Sequence, residues 1–116
     1  MDLFVYGTLK RGHCRHFALR DQQFLADART QPRYRMYNVG EYPALVRDDN
    51  GISIEGEIWS VDDPCLVLLD EVEGAAENWF RRGSVELVAP FDNLEVQTYF
   101  YQQPVAGLAR CGDRWE

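Results

Sequence analysis

Apolar positions in the first half of the chain fall into short runs separated by turn residues, which is typical of β-strands. Residues 3–6 form an apolar run that predicts a first strand. Residues 34–39 alternate aromatic or apolar with polar side chains, which predicts a strand with one buried face. Residues 40–46 bend at Pro43 and are expected to resume as a strand. Between these elements, the mostly polar residues 13–25 predict a loop with a short helix.

A turn at residues 48–51 marks the next boundary in the pattern. It contains Asn50-Gly51, a strong short-range signal for a hairpin between two strands. The β-run that follows, residues 52–61, predicts a further strand. Gly56 lies in its middle, which indicates either a β-bulge or the close approach of another backbone.

The pattern changes to helical spacing after residue 61. Asp62 followed by Pro64 is a start signal, because the Asp side chain caps the helix and Pro fits its first turn. Gly74 is expected to end the helix by adopting a left-handed conformation. The apolar residues that share one helix face at this spacing are Cys65, Leu68, Leu69 and Val72.

The last third of the chain returns to strand-type patterning. Residues 75–78 are expected to form a loop, residues 85–88 a strand and residues 90–93 a turn. Residues 95–101 alternate and predict a further strand, while the tail from residue 104 to residue 116 is expected to pack back as a loop. Several hairpin-linked strands with one clear helix indicate an α+β fold. The expected architecture is a mostly antiparallel, twisted sheet, curled into an open barrel with one or two flanking helices.

Composition indicates one globular domain that spans residues 1–116. Hydrophobic residues make up 46% of the chain and charged residues 27%, which suits a single core and argues against disorder. No apolar run approaches the roughly 20 residues that span a bilayer, so no membrane association is expected. The N-terminus lacks the pattern of a signal peptide, which predicts a cytoplasmic protein. The oligomeric state stays open.

Charge argues against nucleic acid as a partner. The formal net charge is −7, whereas phosphate binding needs clustered Lys and Arg. The basic residues near the first predicted strand form only a local cluster of Lys10, Arg11, Arg15 and Arg20. The simplest interpretation of this cluster is a solvated loop and helix face. The alternative is a rim that attracts small anionic substrates.

Cysteine and histidine positions do not indicate a metal site. Cys14, Cys65 and Cys111 are widely spaced, and no pair has the two-residue gap typical of zinc or redox sites. Residues 13–16 read His-Cys-Arg-His and offer at most three ligands crowded on one turn. We therefore expect free thiols and no bound metal.

Two positions could carry chemistry. Gly7 begins a turn in which successive backbone N–H groups are little covered by side chains, and such a concavity suits a carboxylate. Glu73 lies in the last turn of the predicted helix, where the helix dipole, the neighbouring Asp70 and Glu71, and partial burial all disfavour its ionised form. A carboxyl group with a raised pKa can both accept and return a proton. An ordinary solvated acidic helix end is the alternative.

Two motifs extend these observations. Residues 6–9 read Tyr-Gly-Thr-Leu, and residues 69–74 read Leu-Asp-Glu-Val-Glu-Gly. Further matching positions, in order, are Gly40, Tyr42-Pro43, Gly56-Glu57 and Tyr101. Together they make the chain resemble the gamma-glutamylcyclotransferase-like (AIG2-like) family, and in particular its small bacterial branch. The resemblance covers nearly the whole chain and implies the α+β fold of that family.

The resemblance also implies roles for individual residues. Glu73 matches the catalytic acid of the family and is expected to act as general acid and base. The residues expected to bind the substrate are Tyr6, Gly7, Thr8, Leu9, Tyr42 and Tyr101. From residue type alone, Tyr6 and Tyr101 could equally be aromatic core residues with satisfied hydroxyl groups.

The implied reaction is the cyclisation of a γ-glutamyl amine or a small γ-glutamyl amide. The α-amine attacks the γ-carbonyl, which gives 5-oxoproline and a free amine, and no metal or organic cofactor takes part. Two alternatives remain: a non-catalytic binding protein for a small γ-glutamyl or amino-acid-like ligand, and an interaction protein with a vestigial cavity.

Residues 79–82 depart from the family pattern. The family has Tyr-x-Arg about six residues after the catalytic Glu, whereas this chain reads Trp-Phe-Arg-Arg. Either Trp79 with Arg81 or Phe80 with Arg82 takes that position, and both pairs lack the Tyr hydroxyl group. A substrate preference different from that of other members is therefore expected.

Overall fold

The computed structural model describes residues 1–74 and 77–116. Its strands are β1 (Asp2–Val5), β2 (Gln23–Arg29), β3 (Tyr34–Asn38), β4 (Pro43–Arg47), β5 (Glu55–Ser60), β6 (Phe80–Ser84), β7 (Val96–Tyr101) and β8 (Ala109–Arg110). They form a five-stranded sheet of order β2-β5-β1-β7-β6 and a three-stranded sheet of order β4-β3-β8. The helix α1 (Asp63–Val72) and a 3₁₀ helix (His16–Leu19) complete the described elements. The predicted α+β class is confirmed, and the described strands do not close into a barrel.

Strand β1 lies at the centre of the five-stranded sheet, as its continuous apolar sequence favours. It pairs antiparallel with β5 and parallel with β7, while the other ladders are antiparallel. Leu3 and Phe4 are fully buried and face two different core clusters, because successive side chains of a strand point to opposite faces. The predicted mostly antiparallel arrangement is thus confirmed, with core on both faces of β1.

Gly56 in β5 allows the neighbouring strand to approach. A Cβ atom at this position would lie 2.5 Å from the carbonyl oxygen of Val5 and equally close to the Phe4 ring. The sequence left two alternatives, a bulge or a close approach, and the structure has the close approach.

Helix α1 begins and ends where its capping signals predict. The Asp62 carboxylate accepts a hydrogen bond from the Cys65 backbone N–H at 2.9 Å, and Gly74 has a φ of +67°. Cys65 and Leu69 are buried as predicted, but Leu68 is 46% exposed, so the buried stripe is narrower than its apolar pattern suggested. No helix in residues 1–74 and 77–116 has the length and apolar character needed to cross a membrane.

The hairpin predicted around Asn50-Gly51 is wrong. The turn itself forms, since the Gly51 N–H donates to the Asp48 carbonyl at 2.9 Å. However, β4 before the turn pairs with β3, whereas β5 after it pairs with β1 and β2. The chain therefore crosses from one sheet to the other here, and Ile52 forms an isolated bridge to Tyr34 before β5 begins.

Three further differences concern elements at sheet edges. Residues 23–25 belong to β2 rather than to the predicted loop, β6 precedes the predicted strand at 85–88, and β8 lies within the predicted tail loop. Each of these strands is short or rich in polar residues, so its own sequence gives only a weak strand signal. Each forms because it pairs with a neighbouring strand. The loop predicted at 75–78 includes residues 75 and 76, which lie outside the described residues.

Candidate active site

The turn that follows β1 presents unused backbone donors. The Lys10 N–H donates to the Gly7 carbonyl at 3.0 Å, which closes the turn. Among the described residues, the N–H groups of Gly7, Thr8 and Leu9 donate to no protein acceptor. Gly7 is required by packing, because a Cβ atom there would lie 2.6 Å from the Pro43 side chain. Three adjacent donors are therefore available to an anionic group.

Glu73 lies at the C-terminal end of α1, as its C-cap residue. Its backbone N–H donates to the Leu69 carbonyl at 2.9 Å, which fixes Glu73 one helical turn after the fully buried Leu69. Burial raises the pKa of Glu73 to about 7, and the positive charge of Arg15 opposes this shift. The direction agrees with the sequence-based expectation, and burial, one of the causes expected there, is the largest.

One cleft brings Glu73 together with the turn after β1. It contains about 340 Å³ of space not filled by atoms, part of which opens to solvent. The predicted site residues that line it are Tyr6, Gly7, Thr8, Leu9, Tyr42 and Glu73. Tyr101 does not line the cleft: it lies in the core, with its ring centroid 5.3 Å from that of Phe80. Pro43 also forms part of the cleft wall.

Tyr6 combines the two roles that its residue type left open. Its side chain lines the cleft, yet it is buried and its hydroxyl group donates to the Tyr99 carbonyl at 2.6 Å. Burial, together with the charge of Glu73, raises the pKa of Tyr6 well above its usual value. The side chain is therefore a neutral, fixed part of the cleft wall.

Tyr99 is a cleft residue that sequence reasoning missed. Its hydroxyl group donates to the Asp70 carboxylate at 2.6 Å, and Arg82 donates to the same carboxylate from Nε at 3.0 Å and from Nη2 at 3.2 Å. Burial opposes ionisation of Asp70, but these hydrogen bonds outweigh it and lower its pKa. The Asp70–Arg82–Tyr99 network thus joins α1, β6 and β7 behind the cleft.

The same network resolves the alternative positions at residues 79–82. Phe80 and Arg82 are two residues apart on β6 and face inward, where Phe80 is buried and Arg82 binds Asp70. Trp79 is 47% exposed and Arg81 is exposed. Phe80 with Arg82 therefore occupies the inner position, and no hydroxyl group is present at residue 80.

Comparison with known proteins supports the family resemblance that the sequence motifs indicated. Residues 3–116 match the sequence profile of a family described as "Gamma-glutamyl cyclotransferase, AIG2-like". A Vibrio cholerae relative, provisionally named a gamma-glutamylcyclotransferase, is 37% identical over 111 residues, which cover 96% of this chain and 92% of the relative. The human gamma-glutamylaminecyclotransferase is 40% identical over 79 residues, covering 61% of this chain and 52% of the human protein.

A solved structure extends the likeness to the fold. The crystal structure of an aig2-like protein from Mus musculus superposes with a TM-score of 0.70 at 28% identity, covering 88% of this chain and 76% of the mouse chain. The two polypeptides thus share the path of most of their backbone. As its motifs predicted, the chain belongs to the gamma-glutamyl cyclotransferase, AIG2-like family, and it is a cyclotransferase.

Proposed function

We propose that this protein converts a γ-glutamyl amine or a small γ-glutamyl amide into 5-oxoproline and a free amine, with Glu73 as general acid and base. One observation carries the proposal: Glu73 lines the same cleft as Gly7, Thr8 and Leu9, whose N–H groups donate to no acceptor among the described residues. The name of the human relative, a gamma-glutamylaminecyclotransferase, points to the same substrate class.

The first step is proton removal from the substrate. The α-ammonium group transfers a proton to the ionised Glu73 carboxylate, and the free amine then attacks the γ-carbonyl carbon to close a five-membered ring. A pKa of about 7 suits this role, because near neutral pH the group is present in both ionised and protonated forms. Holding the substrate folded in the narrow cleft supplies effective molarity, worth up to ~7–11 kcal/mol in well-oriented cases.

The second step is release of the leaving amine. The tetrahedral intermediate carries a negative oxygen, which the N–H groups of the turn after β1 can stabilise, or they can hold the substrate carboxylate instead. Protonated Glu73 returns its proton to the leaving nitrogen, the C–N bond breaks as the carbonyl re-forms, and the carboxylate is regenerated. The ring nitrogen still carries a second proton, which it passes through the Glu73 carboxylate to the released amine. The products are neutral 5-oxoproline lactam and an ammonium ion, so atoms and charges balance without water or a cofactor.

The remaining predicted substrate contacts have different structural settings. Tyr42 lies at the rim of the cleft beside Glu73 and is proposed to contact the substrate directly. Tyr6 is proposed to shape the wall, since its hydroxyl group is already bonded to Tyr99. Tyr101 lies opposite Phe80 on the neighbouring strand and packs edge-on against its ring, so we assign it a supporting role for that ring. A cytosolic location and a lack of nucleic acid partners complete the proposal, in keeping with a net charge of −7.

The decisive experiment replaces one carboxyl group without changing its shape. Glu73→Gln should keep the fold, as judged by circular dichroism, and reduce 5-oxoproline release from a panel of γ-glutamyl amides by at least about 10²-fold. Glu71→Gln is the matched control, because Glu71 is an exposed neighbour on the same helix. Retained turnover in Glu73→Gln would remove this residue from the mechanism. Tight binding of a γ-glutamyl compound by the unaltered protein without amine release would identify a binding protein instead.

A further inference from the structure

A second depression borders Glu73 and includes none of the residues 7–9 in its lining. It is lined by Arg15, Tyr42, Val72, Gly74, Trp79 and Phe80, and it shares Tyr42 and Glu73 with the cleft. If the cyclising glutamyl group fills the cleft, the amine that receives a proton from Glu73 must extend past this carboxyl group. In that arrangement, the substituent of the leaving amine enters the second depression.

Arg15 is the positive charge of this depression. Its backbone N–H donates to the Thr8 carbonyl at 2.9 Å, which ties the residue to the turn that borders the cleft. Its guanidinium carbon lies 5.7 Å from the centre of the Tyr42 ring. Within residues 1–74 and 77–116, no carboxylate oxygen lies within 4.0 Å of the Arg15 guanidinium nitrogens. The guanidinium is therefore available to an anionic ligand.

Three aromatic side chains also line the second depression. Trp79 is 47% exposed and packs against Gly74, where an added Cβ atom would lie 3.0 Å from the indole ring. The Tyr42 and Phe80 rings lie 5.8 Å apart, centre to centre. An exposed indole beside two further rings offers a contact surface for an apolar group, and the adjacent guanidinium offers a carboxylate partner.

We propose that Arg15 is a specificity-determining residue, which binds a carboxylate carried by the leaving amine while Trp79 and Tyr42 contact its apolar side chain. This inference rests on the proposed cyclotransferase function and names the substrate class within it. A leaving amine that carries a second positive charge would place that charge beside Arg15 and is disfavoured. The depression therefore selects γ-glutamyl dipeptides over γ-glutamyl diamines.

The test compares two substrates that differ in one group. γ-Glutamylphenylalanine and γ-glutamylphenethylamine have the same side chain, and only the first has a carboxylate on the leaving group. The unaltered protein should process the dipeptide with a kcat/KM at least about tenfold higher, as expected for a charge-assisted hydrogen bond. Arg15→Gln should bring the ratio of the two kcat/KM values close to one while still turning over the phenethylamide.

The ratio is the proper readout because Arg15 also acts on Glu73. Loss of its charge affects the carboxyl group for both substrates alike, so this effect cancels in the ratio. Arg20→Gln is the matched control, since Arg20 is exposed and lines a different surface depression with Phe17 and Pro64. Arg15→Lys keeps the positive charge and should retain part of the preference for the dipeptide.

Several outcomes would overturn the inference. An unchanged ratio in Arg15→Gln, or an equal loss for both substrates, would show that Arg15 does not bind the leaving-group carboxylate. If the unaltered protein releases 5-oxoproline from neither compound, the proposed function fails, and calorimetric binding decides the subsite separately. A binding preference for the dipeptide that Arg15→Gln abolishes supports the subsite, and equal binding of both compounds rejects it.

Discussion

Burial gives the Glu73 carboxyl group a pKa that suits proton transfer in both directions. Glu73 lines both the cleft and the second depression, and burial raises its pKa to about 7. A solvated Glu would be fully ionised at neutral pH and a poor proton donor to a leaving amine. Because Glu73 is partly buried at the end of α1, its carboxyl group can accept a proton in the first step and donate it in the second.

The acidic limb of the pH–rate profile should follow this pKa. Glu73 must be ionised to accept the first proton, so kcat/KM should fall about tenfold per pH unit below pH 7. Arg15 lowers the pKa of Glu73, so Arg15→Gln should move the acidic limb to higher pH. Rates of 5-oxoproline release between pH 5 and 9 test both statements. A limb near the ordinary carboxyl value of 4.5 would contradict the assignment.

Stability should depend on pH through the same residue. The folded protein holds the Glu73 proton up to about pH 7, whereas the unfolded chain releases it near 4.5, so stability falls as pH rises between these values. Glu73→Gln removes the buried charge. We expect a gain in the free energy of unfolding of about 1–2 kcal/mol at pH 8, after allowance for partial exposure. The gain should vanish below pH 4.5.

Urea unfolding at pH 8 and at pH 4 measures this difference. Glu71→Gln serves again as the control, because its exposed side chain should leave the free energy of unfolding nearly unchanged at both pH values. Equal stabilities of Glu73→Gln and the unaltered protein at pH 8 would argue that the carboxyl group is well solvated.

At the scale of elements, the cleft depends on a hydrogen-bond network that joins α1, β6 and β7. Asp70 on α1 accepts hydrogen bonds from Arg82 on β6 and from Tyr99 on β7, and Arg82 also donates to Gln97 at 2.6 Å. Tyr99 in turn supplies the carbonyl that fixes Tyr6. The position of Glu73, three residues after Asp70, is thus tied to the sheet that carries the turn after β1.

Asp70→Asn should lower the stability of the protein. It leaves the half-buried Arg82 without its anionic partner, so we expect a loss of about 1–3 kcal/mol in the free energy of unfolding. Arg82→Gln should cost a similar amount, and the double variant should cost less than the sum, because the two residues share one interaction. Thermal unfolding of the four proteins measures this coupling. Strict additivity would show that Asp70 and Arg82 have no interaction energy with each other.

These elements also show how far local sequence reaches. Helix α1 was predictable because its cap at Asp62 and its stop at Gly74 act within a few residues. The cleft residues next to Gly7 were found through motifs. The pairing of β2, β6 and β8 could not be predicted, because an edge strand depends on a partner that is distant in the chain. The role of Arg82 was also hidden, since Asp70 and Gln97 lie 12 and 15 residues away in the chain.

At the scale of the whole molecule, the last residues hold the first turn in place. The buried Lys10 side chain donates to the Trp115 carbonyl at 2.7 Å, and Lys10 closes the turn that begins at Gly7. Arg29 on β2 binds Asp113 at 2.6 Å, and the Cys111 N–H donates to the Met36 carbonyl on β3 at 2.9 Å. The tail therefore links both sheets to the border of the cleft.

Removal of residues 109–116 should consequently affect the cleft as well as stability. The truncated chain loses β8 and leaves the Lys10 ammonium group without its acceptor, which should cost at least about 2 kcal/mol in the free energy of unfolding. Because Lys10 closes the turn that carries the N–H donors, KM for γ-glutamyl substrates should rise. Removal of Glu116 alone is the control, since its side chain is exposed. Thermal unfolding and initial-rate kinetics at 25 °C measure both effects, and an unchanged Tm together with an unchanged KM would show that the turn holds its shape without the tail.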